Sequence, residues 1–260
     1  IITVVNCGRK DGHIVSNLKE APDIQLIELA QGGFVAALAR GVGAVETPLF
    51  CFLDDDDILN AEACARRIDF MTSHPDIDVL VTPGERRALN GTVRSIPDYD
   101  LLDQSNTLES LLHANWLASC GGVFRRERVS QNDFSAMPRY LEWTYLAFHL
   151  ACERKIHFLQ PDEPFHYTIY ETAISESREL EYYFAMPENL MRLCEFPSPD
   201  HIRRLIAEKV SDSYHTASVQ ALQNKMLRRA WKFHMSSLKG RGILKYVLFT
   251  RRLLYSGLRA

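Results

Sequence analysis

A chain of 260 residues, 46% hydrophobic and 24% charged, has a globular composition with room for a sizeable core, as one large domain or a domain with an appendage. That balance excludes collagen-like, low-complexity and disordered classes, and six cysteines without a C-x-x-C pair fit neither a zinc site nor a disulfide scaffold. The formal net charge of −3 divides unevenly: from Tyr214 onward ten Lys and Arg meet no Asp or Glu, +10, while upstream 20 basic and 33 acidic residues give −13. An acidic body with a basic tail points to an anionic partner for the tail. The scattered cysteines point to a reducing compartment, and because the opening run Ile1 to Val5 follows no basic, long-apolar leader, no secretory signal is expected. No apolar stretch reaches the roughly 18 residues of a bilayer span.

Ile2-Thr3-Val4-Val5 is β-branched and apolar and predicts a buried strand stopping at Asn6-Cys7-Gly8. A short helix is expected from Asp11 to Lys19, then a strand from Ile24 to Leu29 and a turn at Gln31-Gly32-Gly33. Phe34 to Val45 reads as an Ala-rich helix closed before Pro48. Leu49-Phe50-Cys51-Phe52-Leu53 is apolar throughout and predicts a strand buried on both faces, followed by a helix from about Asn60 to Ser73. Ile77 to Thr82 is the next strand, and Pro83 to Asp103 a loop-rich or hairpin insertion. A helix over Leu108 to His113, a strand over Gly121 to Arg125, an amphipathic helix over Leu141 to Arg154 and a strand over Ile156 to Leu159 follow. From Glu176 onward only helical signals remain. The alternation implies an α/β layer with a largely parallel sheet in residues 1–175 and a helical extension over 176–260.

The densest chemical signal is FLDDDDIL, Phe52 to Leu59. Carboxylates at the carboxyl end of a buried strand stand at the crevice where open α/β sheets bind ligands. Four adjacent negative charges repel unless a cation or a helix N-terminus offsets them, and hard oxygen donors favour Mg²⁺ or Mn²⁺. The competing explanation is helix capping plus a solvated acidic loop. No nucleophile elbow, P-loop or Gly-x-Gly-x-x-Gly is present, and the basic tail carries no nucleic-acid-binding motif.

The order Ile2-Thr3-Val4-Val5-Asn6, Gly33 through Ala39-Arg40-Gly41, and Asp54-Asp55-Asp56-Asp57 at a strand end resembles the family 2 glycosyltransferases, inverting nucleotide-sugar enzymes of the GT-A fold. The resemblance covers about residues 1 to 175. It implies a Rossmann-like mixed, mostly parallel sheet flanked by helices, and a metal-dependent transfer using Mn²⁺ or Mg²⁺. The donor implied is a nucleoside-diphosphate sugar, with UDP the expected nucleotide, and the acceptor a glycan or lipid-linked hydroxyl. Asp54, Asp55, Asn6 and Arg40 would contact the donor, and Asp56 would bind the metal. Two positions depart from the pattern. The usual Asp-Gly-Ser after the second strand is replaced by Ile27-Glu28-Leu29-Ala30-Gln31, where Glu28 either takes over the base contact or lies on an exposed face. Gly41 stands where Asn is common.

Tyr140-Leu141-Glu142-Trp143 resembles the helix start that supplies the catalytic base, which makes Glu142 the base candidate; a favourable acidic charge in the first helical turn explains it equally well alone. Asp133 resembles a residue that shapes the acceptor pocket, and Asp57 is a further acceptor-side candidate. His166, in the segment Phe165 to Tyr170 that resembles the closing strand, either approaches the diphosphate or is structural. Gly121 to Arg126 resembles the strand under the acceptor, its arginines holding an anionic acceptor or lying on the surface. A sugar nucleotidyltransferase and a non-catalytic lipid- or protein-binding module are the rival classes. The first lacks its Gly-rich phosphate loop, with Asn6-Cys7-Gly8-Arg9-Lys10 only a weak echo, and the second leaves the aspartates unexplained.

In the tail, Ile243, Leu244, Val247, Leu248, Leu254 and Leu258 recur at helical spacing beside cationic residues, interrupted by Gly240, Gly242 and Gly257. Such a helix fits an anionic membrane surface, or packs its stripe on the catalytic domain or on a second copy in a homodimer. Together with the resemblance, it suggests a cytoplasmic enzyme of bacterial surface-polysaccharide synthesis, peripheral on the inner face of the membrane.

Overall fold

The computed structural model describes residues 2–6, 12–30, 33–160, 166–170, 179–239 and 245–257. The segments expected at Cys7 to Lys10, Gln31-Gly32, Phe165, Gly240 to Leu244 and Leu258 lie outside them. The chain divides into two units, Ile1–Glu171 and Thr172–Ala260.

In the first unit, β1 (Ile2–Asn6) and β2 (Ile24–Glu28) form a parallel pair, joined across α1 (Gly12–Glu20), with Asn6 opposite Glu28 at their ends. A parallel pair needs such a crossover. α2 (Phe34–Ala44) packs on β1 through an apolar face in which Leu38, Ala39 and Val42 are buried.

A second sheet runs in the order β3 (Leu49–Cys51), β8 (Gly122–Arg125), β5 (Val79–Val81), β9 (Ile156–Phe158). A third runs β4 (Ile58–Leu59), β10 (Tyr167–Tyr170), β6 (Gly84–Arg87), β7 (Val93–Ile96). The insertion after Pro83 is therefore a hairpin, with Gly91 at φ +82° supplying the left-handed residue that its turn needs.

The mixed α/β sheet expected from the sequence is present, with more antiparallel pairing than the strand–helix alternation alone suggests. β1–β2, β5–β9 and β6–β10 are parallel, whereas β3–β8, β5–β8, β4–β10 and β6–β7 are antiparallel. β8 is the cause in the second sheet: it enters between β3 and β5 running opposite to both. The expectation that Leu49 to Leu53 is buried on both faces does not hold. β3 lies at the end of its sheet order, Phe50 is buried, Cys51 is exposed and Leu53 is 54% exposed.

β5 is the centre of the core, with Val79, Leu80 and Val81 all fully buried. α3 (Ala61–Ser73) begins at Asn60, whose side chain accepts from the backbone N–H groups of Glu62 (2.9 Å) and Ala63 (3.3 Å). It turns Ala63, Arg67 and Met71, four residues apart, to the interior. α4 (Thr107–His113) and α6 (Glu142–Glu153) pack together, and α6 buries Leu146, Phe148 and Leu150 completely. Each such side chain stabilises the fold by about 1.5–3 kcal/mol. α5 (Gln131–Ser135) bridges α2 and α6.

The second unit is helical throughout its described residues: α7 (Leu180–Arg192), α8 (Asp200–Gln223), α9 (Leu227–Ser237) and α10 (Phe249–Gly257). Lys225, at φ 60°, reverses the chain between α8 and α9. Small residues let these helices approach: Ser218 donates to the carbonyl of Ala230 and Ser211 to that of Ser237, both at 2.7 Å. α10 docks through fully buried Leu253 and a 2.7 Å hydrogen bond between Thr250 Oγ1 and His234 Nε2. Among the described residues no helix is long and apolar enough to cross a membrane.

Candidate active site

After β3 the chain enters a tight turn in which the backbone N–H of Asp57 donates to the carbonyl of Asp54 at 3.2 Å. Asp55 and Asp56 therefore form the corner of a β-turn, and both are exposed. The two outer aspartates are held from other elements. Asp57 Oδ1 accepts from the backbone N–H of Tyr170 on β10 at 3.2 Å, and its Oδ2 accepts from Cys120 Sγ at 3.4 Å. Ser119 lies beside the Asp54 carboxylate and favours its ionised form. Ser119 and Cys120 belong to one short 3₁₀ turn, Ser119–Gly121, so a single segment floors the aspartate turn.

Burial raises the Asp54 pKa above the ordinary carboxylate range; the Ser119 side chain opposes the rise, and the charges of Asp56 and Asp55 add to it. Burial likewise raises Asp57, against the hydrogen bonds from Cys120 and Tyr170. Burial pushes the Cys120 thiol up to about 12, so it remains a protonated donor. Crowded, partly desolvated carboxylates are groups that a divalent cation would relieve. Among the described residues no three His, Cys, Asp or Glu side chains converge as a closed metal cage. The hard-oxygen corner fits instead an open site of one or two carboxylates completed by substrate phosphates.

Aromatic packing brings the base candidate to this turn. Phe52, two residues before Asp54, meets Trp143 edge-on at 5.6 Å between ring centroids, and Trp143 meets Phe34 at 6.1 Å. Phe52 also packs on Phe134 (5.2 Å) and Phe124 (5.7 Å). The end of β3, the start of α2 and the start of α6 thus share one cluster. Glu142, the first residue of α6, is half-buried beside it. The chain reaches Glu142 through Tyr140 at φ 74°, a left-handed conformation that costs a non-glycine residue about 1–2 kcal/mol. Arg139 lies over the Tyr140 ring, 4.6 Å from its centroid.

Asp133 is 8% exposed and both its oxygens are engaged. Oδ2 accepts from Ser130 N (2.7 Å) and Ser130 Oγ (3.1 Å), closing a capping box on α5, and Oδ1 accepts from His149 Nε2 on α6 at 2.8 Å. Burial would raise this carboxyl, but the His149 and Ser130 hydrogen bonds outweigh it and hold the pKa below the ordinary range.

His166 is fully buried, and its Nδ1 accepts from Arg67 Nε at 3.3 Å, which leaves the ring proton on Nε2. Its neighbour Tyr167 fills the space beside Gly84 and Gly121. Asn6 ends β1, its carbonyl accepting from Leu29 N at 2.9 Å, and Arg40 is exposed on α2. Glu28 takes the exposed alternative, paired with Lys19 Nζ at 2.7 Å. Arg125 is spent within the fold, its guanidinium donating to the carbonyls of Ile77 (3.1 Å), Met71 (2.8 Å) and His74 (3.2 Å) around the end of α3. Arg126 is exposed.

Three residues of this region are not singled out by sequence motifs: Arg67, Ser119 and Cys120. Arg67 did leave a signal, since it occupies the apolar stripe of α3 between Ala63 and Met71.

Residues 2–132, half of the chain, match the family described as Glycosyl transferase family 2, and the chain belongs to that family. Among solved structures it is similar to S. aureus TarS 1–349, with a TM-score of 0.60 and 17% identity over 90% of this chain and 71% of that one. A longer S. aureus TarS structure gives 0.56 and 16%, again over 90% of this chain but 43% of that one. The mannosyltransferase PcManGT from Pyrobaculum calidifontis, in complex with GDP-Man and Mn²⁺, gives 0.50 and 11% over 99% and 76%. These likenesses identify the fold as the mixed α/β GT-A fold of glycosyltransferases. No curated protein matches the chain.

Proposed function

We propose that this family 2 glycosyltransferase transfers a sugar, with inversion, from a nucleoside diphosphate to a hydroxyl of a glycan or lipid-linked acceptor. The observation that carries the reading is the Phe52–Trp143 contact, which joins the aspartate turn to the helix start bearing Glu142. Asn6, Arg40, Asp54 and Asp55 are assigned to the donor, with UDP as the expected nucleotide. Asp56, at the exposed corner, would hold Mn²⁺ or Mg²⁺ together with the diphosphate oxygens. When bound, the cation supplies positive charge to the departing diphosphate.

Glu142 accepts the proton of the acceptor hydroxyl on its carboxylate. The acceptor oxygen forms its bond to the anomeric carbon on the face opposite the diphosphate, as the carbon–oxygen bond to the diphosphate breaks. No covalent enzyme intermediate is required. Asp133 and Asp57, each with both oxygens engaged by protein donors, act on this reading as supports, and His166 acts through Arg67.

The second unit supports attachment to an anionic membrane, as expected of an enzyme of surface-polysaccharide synthesis working at the inner face. α10 buries Leu253, yet Val247 (47%), Leu248 (85%), Leu254 (55%) and Tyr255 (56%) are exposed beside exposed Arg251 and Arg252. Apolar side chains with adjacent cations suit an anionic headgroup region.

The catalytic assignment is tested by Glu142→Gln and Asp56→Asn. Loss of a positioned base lowers turnover by about 10²–10⁴-fold while leaving nucleotide binding in place. Asp56→Asn is expected to weaken Mn²⁺-dependent UDP or GDP binding, measured by calorimetry with and without EDTA. Near-normal transfer by Glu142→Gln would move the base elsewhere, and metal-independent binding would remove Asp56 from its role.

A further inference from the structure

The four aspartates are chemically identical in sequence and unequal in structure, and the difference comes from residues distant in the chain. Asp54 and Asp57 close the turn, Asp57 gripped from outside it and Asp54 beside Ser119; Asp55 and Asp56 stand at its corner. Ser119 and Cys120 are next to each other in the chain, with their Oγ and Sγ 3.6 Å apart.

Arg67 lies behind that segment. It is 1% exposed, and its guanidinium reaches two distant segments of the first unit. Its Nη1 donates to the carbonyl of Cys120 at 3.1 Å, its Nε donates to His166 at 3.3 Å, and its plane lies over the Tyr167 ring, 5.7 Å from the centroid. Nη2 is buried and makes no hydrogen bond. A buried guanidinium with an unsatisfied nitrogen is costly, and burial lowers its pKa. An apolar residue would fill the stripe between Ala63 and Met71 without that cost. What the arginine adds is a connection: Cys120 and the strand that begins at Tyr167 carry the two donors to Asp57, Cys120 Sγ and Tyr170 N.

We propose that Ser119 and Cys120, locked from beneath by Arg67, are positioning residues that fix the Asp54–Asp57 turn so that the corner carboxylate of Asp56 meets the cation and diphosphate in one orientation. This rests on the donor-site reading above. It assigns the thiol of Cys120 a hydrogen-bonding duty that a hydroxyl can perform and a methyl group cannot. It also sets Asp57, which holds the loop, apart from Asp54, Asp55 and Asp56, which are left to the ligand.

The test uses the full chain and reads Mn²⁺ uptake by electron paramagnetic resonance, titrated in the presence of UDP and separately of GDP, with a thermal melt of each variant. Loss of an outer hydrogen bond that orients a metal site typically weakens metal binding about 10–100-fold, and here that orientation passes through the turn from Asp57 to Asp56. Cys120→Ala is expected to lose about tenfold or more, and Cys120→Ser to return to within about threefold of the wild type. Ser119→Ala is expected to weaken uptake in the same direction. It decides the matter if Cys120→Ala melts too low to be folded. Arg67→Met is expected to weaken uptake at least as much as either and to lower the melt, whereas rescue by Cys120→Ser is the result that mere core filling does not produce. Wild-type uptake that persists unchanged in Cys120→Ala and Ser119→Ala overturns the proposal alone. No uptake by the wild type with either nucleotide overturns the donor-site reading and the proposal with it.

Discussion

Asp133→Ala separates a structural carboxylate from a catalytic one. The side chain is 8% exposed, so its hydrogen bonds need little discount for solvent. Its capping box on α5 is worth about 1 kcal/mol. The bond from His149 to an ionised carboxylate adds about 1.5–3 kcal/mol. Together these give about 2.5–4 kcal/mol, or about 10²–10³-fold in the opening equilibrium. Hydrogen exchange of peptides covering residues 130–154 reads that factor directly, as faster exchange of the amides in α5 and the start of α6. The pH dependence carries a sign. The folded carboxyl titrates below its ordinary value of 3.8, so the folded state binds this proton less readily than the unfolded chain. Its contribution is complete above that value and is lost as the pH falls through the folded pKa. Asp133→Ala should flatten this part of the acid limb. A loss below about 1 kcal/mol, with transfer abolished and exchange unchanged, would refute the structural reasoning and make Asp133 the base.

The helical unit should weaken in mild acid. Burial lowers the pKa of His234, and burial with the neighbouring His234 lowers that of His215, so below about 6.5 the unfolded chain takes up protons that the folded unit resists. Circular dichroism melts should fall from pH 7.5 to pH 5 by less in His234→Gln than in the wild type; equal decrements contradict the assignment. Gly121→Ala places a Cβ 2.7 Å from Tyr167 Oη in a buried site, an overpacking worth about 1–3 kcal/mol in urea unfolding. Adding Tyr167→Phe, which removes that oxygen, should recover part of the loss. In liposome flotation at low salt, Arg251→Ala with Arg252→Ala removes about 2 kcal/mol of attraction and should lower partitioning onto anionic vesicles about 30-fold. Equal flotation of wild type and variant would remove α10 from the membrane reading.

The local elements were legible in the sequence because their signals are local. Apolar and β-branched runs and an Asn-capped, amphipathic stretch fixed β1, β2, β3, β5, β8 and β9 and the helices α1 to α4 and α6 to within a few residues of their observed ends, whereas β4 and α5 carried no such signal and β6 and β7 were expected only as a loop-rich or hairpin insertion. The aspartate run at the end of β3 was legible for the same reason, as was the acidic start of α6. The direction of β8 between β3 and β5 was not, because pairing sense depends on where a strand arrives rather than on its own residues. The exposure of Cys51 and Leu53 followed from that order, which put an all-apolar run at the end of a sheet.

The sequence alone determined that this chain has the apolar content for a large core, ends in a stretch whose ten cations meet no acidic residue, and places four consecutive carboxylates after an apolar run. Tertiary structure decided which of those carboxylates are held and which face outward. A carboxylate's task depends on the donors within hydrogen-bonding reach of it, and those that hold Asp57 come from Cys120 at 3.4 Å and Tyr170 at 3.2 Å, more than sixty positions away in sequence. It likewise divided the tail's apolar residues, sending Leu253 inward against the helices and leaving Leu248 and Leu254 in the open, because a helix has two sides and only packing chooses between them.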